Sequence, residues 1–209
     1  MPRGRNLGRA MKFALFRRRE AVIINDRGYR FKRLRYLLRN IRVALPGVSP
    51  WFDQDIVLYH ATLNIAVDSV LHQVDLRKCG DFNDFGRGFY TTTNRQQALS
   101  WATEKAVRST RVKPALIRYT VERRSLADLY SLFFVRGDKN AYDYWSFVQH
   151  CRTTIGNHKG IYSDWYDIVA GPVTGSWKKQ TVIPHSDQIS FHTHRAIEIL
   201  NICQKEREK

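Results

Sequence analysis

Three short stretches of the sequence combine residue types that could hold a ligand and act on it. Tyr59-His60-Ala61-Thr62 closes an apolar run, so His60, an imidazole able to donate or accept a hydrogen bond, stands at a strand's end. In Asp84-Phe85-Gly86-Arg87-Gly88-Phe89-Tyr90-Thr91-Thr92, Gly86 and Gly88 permit a sharp turn that carries backbone N–H groups toward a bound molecule. Arg87 stands between them for a phosphate, and Tyr90 offers a flat ring for stacking. Gln188-Ile189-Ser190-Phe191-His192-Thr193 supplies Gln188, an amide that orients a hydroxyl but cannot take its proton as a general base. Taken singly, these residues also have plain readings: a tight hairpin for the glycines, a satisfied buried histidine for His60 and a core aromatic for Tyr90.

Other residues point to less. His185, His192 and His194 are close in sequence, but His192 and His194 share a side only on a regular strand, and no metal is assigned. Arg136, Arg152 and Lys159 are basic without a pattern that puts them on one surface. Cys79, Cys151 and Cys203 are odd in number and widely spaced, unlike a zinc site or a disulfide framework, which fits a reducing compartment. No stretch approaches the roughly eighteen apolar residues of a membrane span. The basic start Met1–Arg9 precedes only the short apolar patch Phe13–Phe16. A cytoplasmic location with no membrane partner is expected.

The elements that position these residues can be read from their patterns. Ile56–His60 has four apolar residues in a row before the histidine and predicts a strand covered on both faces. Ile65–Leu71 is compatible with a short helix, and Cys79–Gly88 is a loop. Phe89–Thr92 reads as a strand, and Asn94 with Gln97 three residues on predicts a capped helix bearing Ala98, Trp101, Ala102 and Ala106. Ala115–Val121 predicts a strand, Tyr142–Cys151 a helix packed through Trp145, Phe147 and Val148, and Tyr166–Ala170 a strand ended by Gly171-Pro172. Gln188–Thr193 alternates like a half-buried strand before a helical Ala196–Cys203 whose tail frays into charge. Many short strands with dispersed helices predict an α+β fold.

The charge of +16 over 209 residues is uneven. Residues 1–45 hold 14 Lys and Arg against Glu20 and Asp26, a balance of +12, while the other 164 residues hold 21 against 17, or +4. We therefore divide the chain into a basic arm, 1–50, and a folded body, 51–209. A small hairpin over 21–31 fits the arm, followed by Leu34, Leu37, Leu38 and Ile41 at helical spacing, with Arg33, Arg35, Arg39 and Arg42 on other faces. Such a helix can bury its leucines and offer guanidinium forks to phosphates, which makes nucleic acid the expected partner, RNA before DNA. A solvated face, a docking surface for an acidic protein or an anionic membrane surface would share the pattern.

In order, the three stretches and Tyr166-Asp167-Ile168-Val169-Ala170-Gly171-Pro172-Val173 resemble the ADP-ribosyltransferase superfamily, in its His-Tyr-Glu class of diphtheria-like toxins and poly(ADP-ribose) polymerases. Within that class the chain looks like a bacterial and phage family described only as a domain of unknown function. The similar region runs roughly from Ile56 to Leu200. The resemblance implies a split β-sandwich of two small, roughly perpendicular antiparallel sheets with peripheral helices and NAD in the cleft.

It also implies roles. His60 would hydrogen-bond a ribose hydroxyl, the Ala61 backbone would grip the nicotinamide amide, Tyr90 would stack on the ring, and Tyr59, Thr62, Gly86, Arg87, Gly88, Thr91 and Thr92 would line the NAD site. Such a clamp suits cleavage of the nicotinamide–ribose bond, whose transition state resembles an oxocarbenium ion. Two positions depart from the class. Ala61 stands where glycine is common, which requires ordinary backbone angles. Gln188 stands where better-known members carry glutamate, so the acceptor is either already nucleophilic or activated elsewhere, with Asp187 and Glu198 as the alternative carboxylates. The function implied is a toxin that transfers ADP-ribose from NAD to nucleic acid in a toxin–antitoxin or phage-defence setting, with a protein antitoxin as a further partner. The alternatives are a mono-ADP-ribosyltransferase acting on protein and a degenerate domain that binds NAD or nucleic acid without turnover.

Overall fold

The computed structural model describes residues 54–108, 111–155, 158 and 166–208. The chain divides into two units, Met1–Val48 and Ser49–Lys209, and every described residue belongs to the second. The arm's hairpin and the helix bearing Arg33, Arg35, Arg39 and Arg42 lie outside the described residues.

The body is α+β and contains two small sheets. In the first, β1 (Asp55–Leu63) pairs antiparallel with β3 (Pro114–Glu122), and β3 with β7 (Gln204–Glu208). The second has the order β2 (Phe89–Thr91), β6 (Thr181–Phe191), β5 (Ile168–Ser176), β4 (Ser131–Phe133). Its pairs are antiparallel except β4 with β5, which run parallel, a departure from an all-antiparallel pair of sheets. The sheets are joined where Tyr59 N donates to Thr92 O at 2.8 Å and Thr92 N to Tyr59 O at 3.0 Å.

Alternation along the strands decides what each face carries. Leu58, Phe89, Ile117, Tyr119, Val121, Ile168 and Phe191 form the principal core, with Ile197 and Leu200 of α5 (His194–Ile202). Fully burying one such side chain contributes roughly 1.5–3 kcal/mol. On the other face of the second sheet, Val169 and Phe85 pack against Tyr144, Trp145, Phe147, Val148 and Cys151 of α4 (Tyr142–Thr153). On the outer face of the first sheet, Ala98 and Ala102 of α2 (Arg95–Val107) meet Ala61 and Leu116. Their small side chains let this helix lie close to the strands.

Asn94 caps α2 as its position predicts, its side-chain oxygen accepting from Gln97 N at 3.1 Å. The Gln97 amide brackets the backbone of Asp187 instead of completing a capping box, donating to its carbonyl at 2.7 Å and accepting from its N–H at 3.1 Å. The helix is thereby tied to β6.

Four expectations are corrected. β5 runs through Gly171-Pro172 to Ser176; a shift of register between Pro172 and Thr174 absorbs the N–H that proline lacks. β6 begins at Thr181, after a turn in which Gln180 has a φ of 53°. The helix read over Ile65–Leu71 is a 3-10 turn, Asn64–Ala66, followed by α1 (Val67–His72). The charged tail is β7, whose Glu206 pairs with Arg118 at 3.0 Å and Glu208 with Arg95 at 2.8 Å. Charges suit an edge strand because they discourage further pairing. β4 and the short α3 (Arg123–Leu126) were not anticipated. Among the described residues no helix is long and apolar enough to cross a membrane.

Candidate functional site

β1 carries His60 on the same face as Leu58, and the imidazole rests on Phe89 with ring centroids 4.1 Å apart and planes inclined by 23°. Its Nδ1 lies 2.7 Å from the main-chain oxygen of Tyr90. A carbonyl only accepts, so Nδ1 carries the hydrogen and Nε2 is the acceptor. Burial lowers the His60 pKa from 6.5 to about 4, assisted by the Lys105 ammonium and opposed by the Tyr90 carbonyl. The ring is neutral at pH 7, in one tautomer.

Lys105 Nζ donates to the Ala61 carbonyl at 2.8 Å, which places a cation beside this end of β1. The Ala61 methyl packs toward Ala98 and Ala102, away from the His60 face, and its φ is not positive. The strand therefore accommodates the departure from glycine. Tyr59 packs with the same alanines while its backbone joins the sheets, and Thr62, two residues after His60, is buried.

The loop before β2 is shaped around Tyr90. Gly86 has a φ of 81°, a conformation that favours glycine. The Tyr90 hydroxyl donates to the Gly86 carbonyl at 2.8 Å and accepts from Phe85 N at 3.0 Å. Burial raises its pKa well above 10, so it stays protonated. Its two hydrogen bonds fix the ring. The half-buried ring has Phe85 beside it, centroids 6.5 Å apart, and the edge of His192 at 6.3 Å.

His192 holds the peptide behind this ring. Burial, with neighbouring His158, lowers its pKa to about 3. The neutral ring donates from Nδ1 to the Arg87 carbonyl at 2.8 Å, and its Nε2 lies 2.7 Å from the Ser190 hydroxyl, which donates to the Val169 carbonyl at 3.0 Å. A Cβ on Gly88 would stand 2.7 Å from His192 Nδ1, so glycine is needed there for close approach. The Arg87 guanidinium, expected to face a phosphate, is instead paired with Asp81 at 3.0 and 2.7 Å. Thr91 Oγ1 donates to the Ile189 carbonyl at 2.9 Å and Thr92 Oγ1 to Asp187, so both hydroxyls tie the end of β2 and the residue after it to β6.

Gln188 lies on the α4 side of β6. Its Nε2 donates to Asp84 Oδ2 at 2.7 Å and to the Pro172 carbonyl at 2.8 Å. Asp84, 4% exposed, also accepts from Thr174 N at 2.9 Å and from Arg152 Nε and Nη2 at 3.0 and 2.6 Å. The dipeptide Asp84-Phe85 thus holds the Gln188 amide through one residue and the Tyr90 hydroxyl through the next.

The structure therefore brings His60 to the main chain of Tyr90 and links the Tyr90 ring to Gln188. The two alternative carboxylates stand elsewhere. Asp187 binds the Thr92 and Thr93 hydroxyls and Thr93 N, and Glu198 is exposed on α5. His185 and His194 are exposed while His192 is buried, and among the described residues no group of three His, Cys, Asp or Glu could hold a metal. Lys159 lies outside the described residues, and Arg136 pairs with Asp138 at 2.7 Å. Asp84, Arg152, Lys105 and His192 escaped the sequence reading as parts of this site. Asp84 and His192 carried a signal, their places before Phe85-Gly86-Arg87-Gly88 and within Gln188–Thr193.

Among known proteins, the model of the family described as protein of unknown function DUF3990 matches residues 56–182. The chain belongs to this DUF3990 family. The match contains His60, Asp84, the glycine loop, Tyr90 and Arg152, so these elements of the site lie within the DUF3990 region, while Gln188 and His192 lie beyond it. No curated protein and no solved structure matches the chain.

Proposed function

We propose that the chain is an NAD-dependent ADP-ribosyltransferase that transfers ADP-ribose to nucleic acid, RNA before DNA. The observation that carries the reading is the neutral His60, whose Nδ1–H is held by the Tyr90 carbonyl at 2.7 Å and whose Nε2 remains an acceptor for a ribose hydroxyl. The order of the sequence motifs supports it, as does a Tyr90 ring fixed by its hydroxyl for stacking on nicotinamide. With Arg87 paired to Asp81, Lys105 is the cation nearer to His60 for the NAD phosphates. The +12 arm supplies phosphate affinity for the acceptor. The superfamily resemblance favours a toxin acting in the cytoplasm within a toxin–antitoxin or phage-defence system, neutralised by a protein antitoxin.

Gln188 favours a second reading, binding of NAD without turnover, because the third position lacks a carboxylate. Incubating the full chain with NAD labelled in its adenylate half, with RNA, DNA or lysate protein as acceptor, separates these readings. Label in RNA with release of nicotinamide is the expected result. Label in protein alone would make the target a protein, and NAD binding without nicotinamide release would favour the second reading.

A further inference from the structure

Both groups that receive the Gln188 amide hydrogens, Asp84 Oδ2 at 2.7 Å and the Pro172 carbonyl at 2.8 Å, can only accept. The amide therefore has one orientation, with Nε2 toward Asp84 and Pro172 and Oε1 turned away from them. Gln188 is 4% exposed, and among the described residues nothing donates to its Oε1. Asp84 cannot turn to suit another partner, since Arg152 holds its Oδ1 and Thr174 N its Oδ2.

The geometry points to Asp84 as a positioning residue that makes position 188 an obligate acceptor, presenting the Gln188 carbonyl to a hydroxyl of the bound ligand and excluding a carboxylate there. The assignment of that hydroxyl to the ribose of NAD rests on the function proposed above; the orientation of the amide does not. In Gln188→Glu, a carboxylate would face Asp84 and the Pro172 carbonyl with no hydrogen for either. This site is built for glutamine, not for a glutamate that has been lost.

Other groups do not rescue the substitution. Arg152 of α4 is the cation on this carboxylate and already binds Oδ1 through two nitrogens. Tyr144 of α4, reached through Thr174, and Tyr90 of β2 have hydroxyl pKa values raised by burial. Burial pushes the Cys151 thiol up to about 12. All three stay neutral between pH 4 and 8.

The test is thermal unfolding of the full chain from pH 4 to 8 for wild type, Gln188→Glu, Asp84→Asn and the double variant, with KM for NAD and kcat for nicotinamide release. The introduced carboxyl has its folded pKa raised by Asp84, so its penalty is absent while it is protonated and grows as pH rises through the carboxylate range. The Tm gap between Gln188→Glu and wild type should therefore widen toward pH 8, whereas the gap between the double variant and Asp84→Asn should not. KM for NAD should rise roughly tenfold or more in Gln188→Glu, because a carboxylate repelled by Asp84 and the Pro172 carbonyl no longer stands where the Gln188 carbonyl meets the ligand hydroxyl. A Tm gap that does not widen with pH, or that widens equally in the Asp84→Asn background, overturns the inference without reference to NAD. A widening gap combined with a wild-type chain that neither binds nor cleaves NAD would remove the ribose as ligand and contradict the proposed function, leaving the amide orientation in place.

Discussion

His60 Nδ1 is held by the main-chain oxygen of Tyr90, at 2.7 Å, and not by its side chain. The Tyr90 ring can therefore be removed without releasing the imidazole. In Tyr90→Ala, the His60 ring followed by NMR titration should keep its pKa of about 4 while NAD affinity falls. A pKa returning toward 6.5 would show that the two residues are coupled through the ring instead.

Tyr90→Phe separates the hydroxyl from the ring. It leaves Phe85 N–H and the Gly86 carbonyl without their partner, at a cost of roughly 1–3 kcal/mol in urea denaturation. Because the stacking face is kept, KM for NAD should stay near the wild-type value, in contrast to Tyr90→Ala. A parallel loss in both variants would assign the hydroxyl a direct part in binding.

The buried histidines set a pH dependence. His60 and His192 have folded pKa values of about 4 and about 3, below the 6.5 of the unfolded chain. The unfolded state then binds more protons, so stability is full above about pH 6.5 and falls as pH drops through 4 toward 3. Denaturation curves at intervals from pH 8 to 4 should show this decline, and His60→Ala should flatten its upper part. A decline of unchanged slope in that variant would assign the protons elsewhere.

Gly88→Ala tests the fit of the loop against β6. The added methyl would meet His192 Nδ1 at 2.7 Å and the Phe191 carbonyl at 3.1 Å, and overpacking of this kind costs roughly 1–3 kcal/mol. Removing the ring in Gly88→Ala/His192→Ala should make the pair markedly non-additive by thermal denaturation. Additive losses would mean that the backbone contact with Phe191 dominates.

What the sequence disclosed was local. The apolar run before His60 marked β1, and Asn94 marked the start of α2. β7 was hidden because Gln-Lys-Glu-Arg-Glu has little strand character of its own and becomes a strand through pairing with β3. Pro172 hid the length of β5, since only the bulge beside it makes proline tolerable there. The role of Asp84, though not its place before the glycine loop, was hidden for a different reason. Its partners Arg152, Thr174 and Gln188 lie 68, 90 and 104 residues away, so the burial that gives the carboxylate its meaning exists only in the fold. Arg87 differs: its partner Asp81 is only six residues away, and this partly exposed local pairing competes with the phosphate role its place between two glycines implied.

The most direct measurement of the central claim is the rate of nicotinamide release from NAD by the full chain with RNA present, compared with His60→Ala and Tyr90→Ala variants shown to be folded. The account predicts release by the wild type and a fall of roughly a hundredfold in each variant, the scale on which removal of a preorganised transition-state contact acts. Release at equal rates in all three proteins, or none from the wild type, would contradict it.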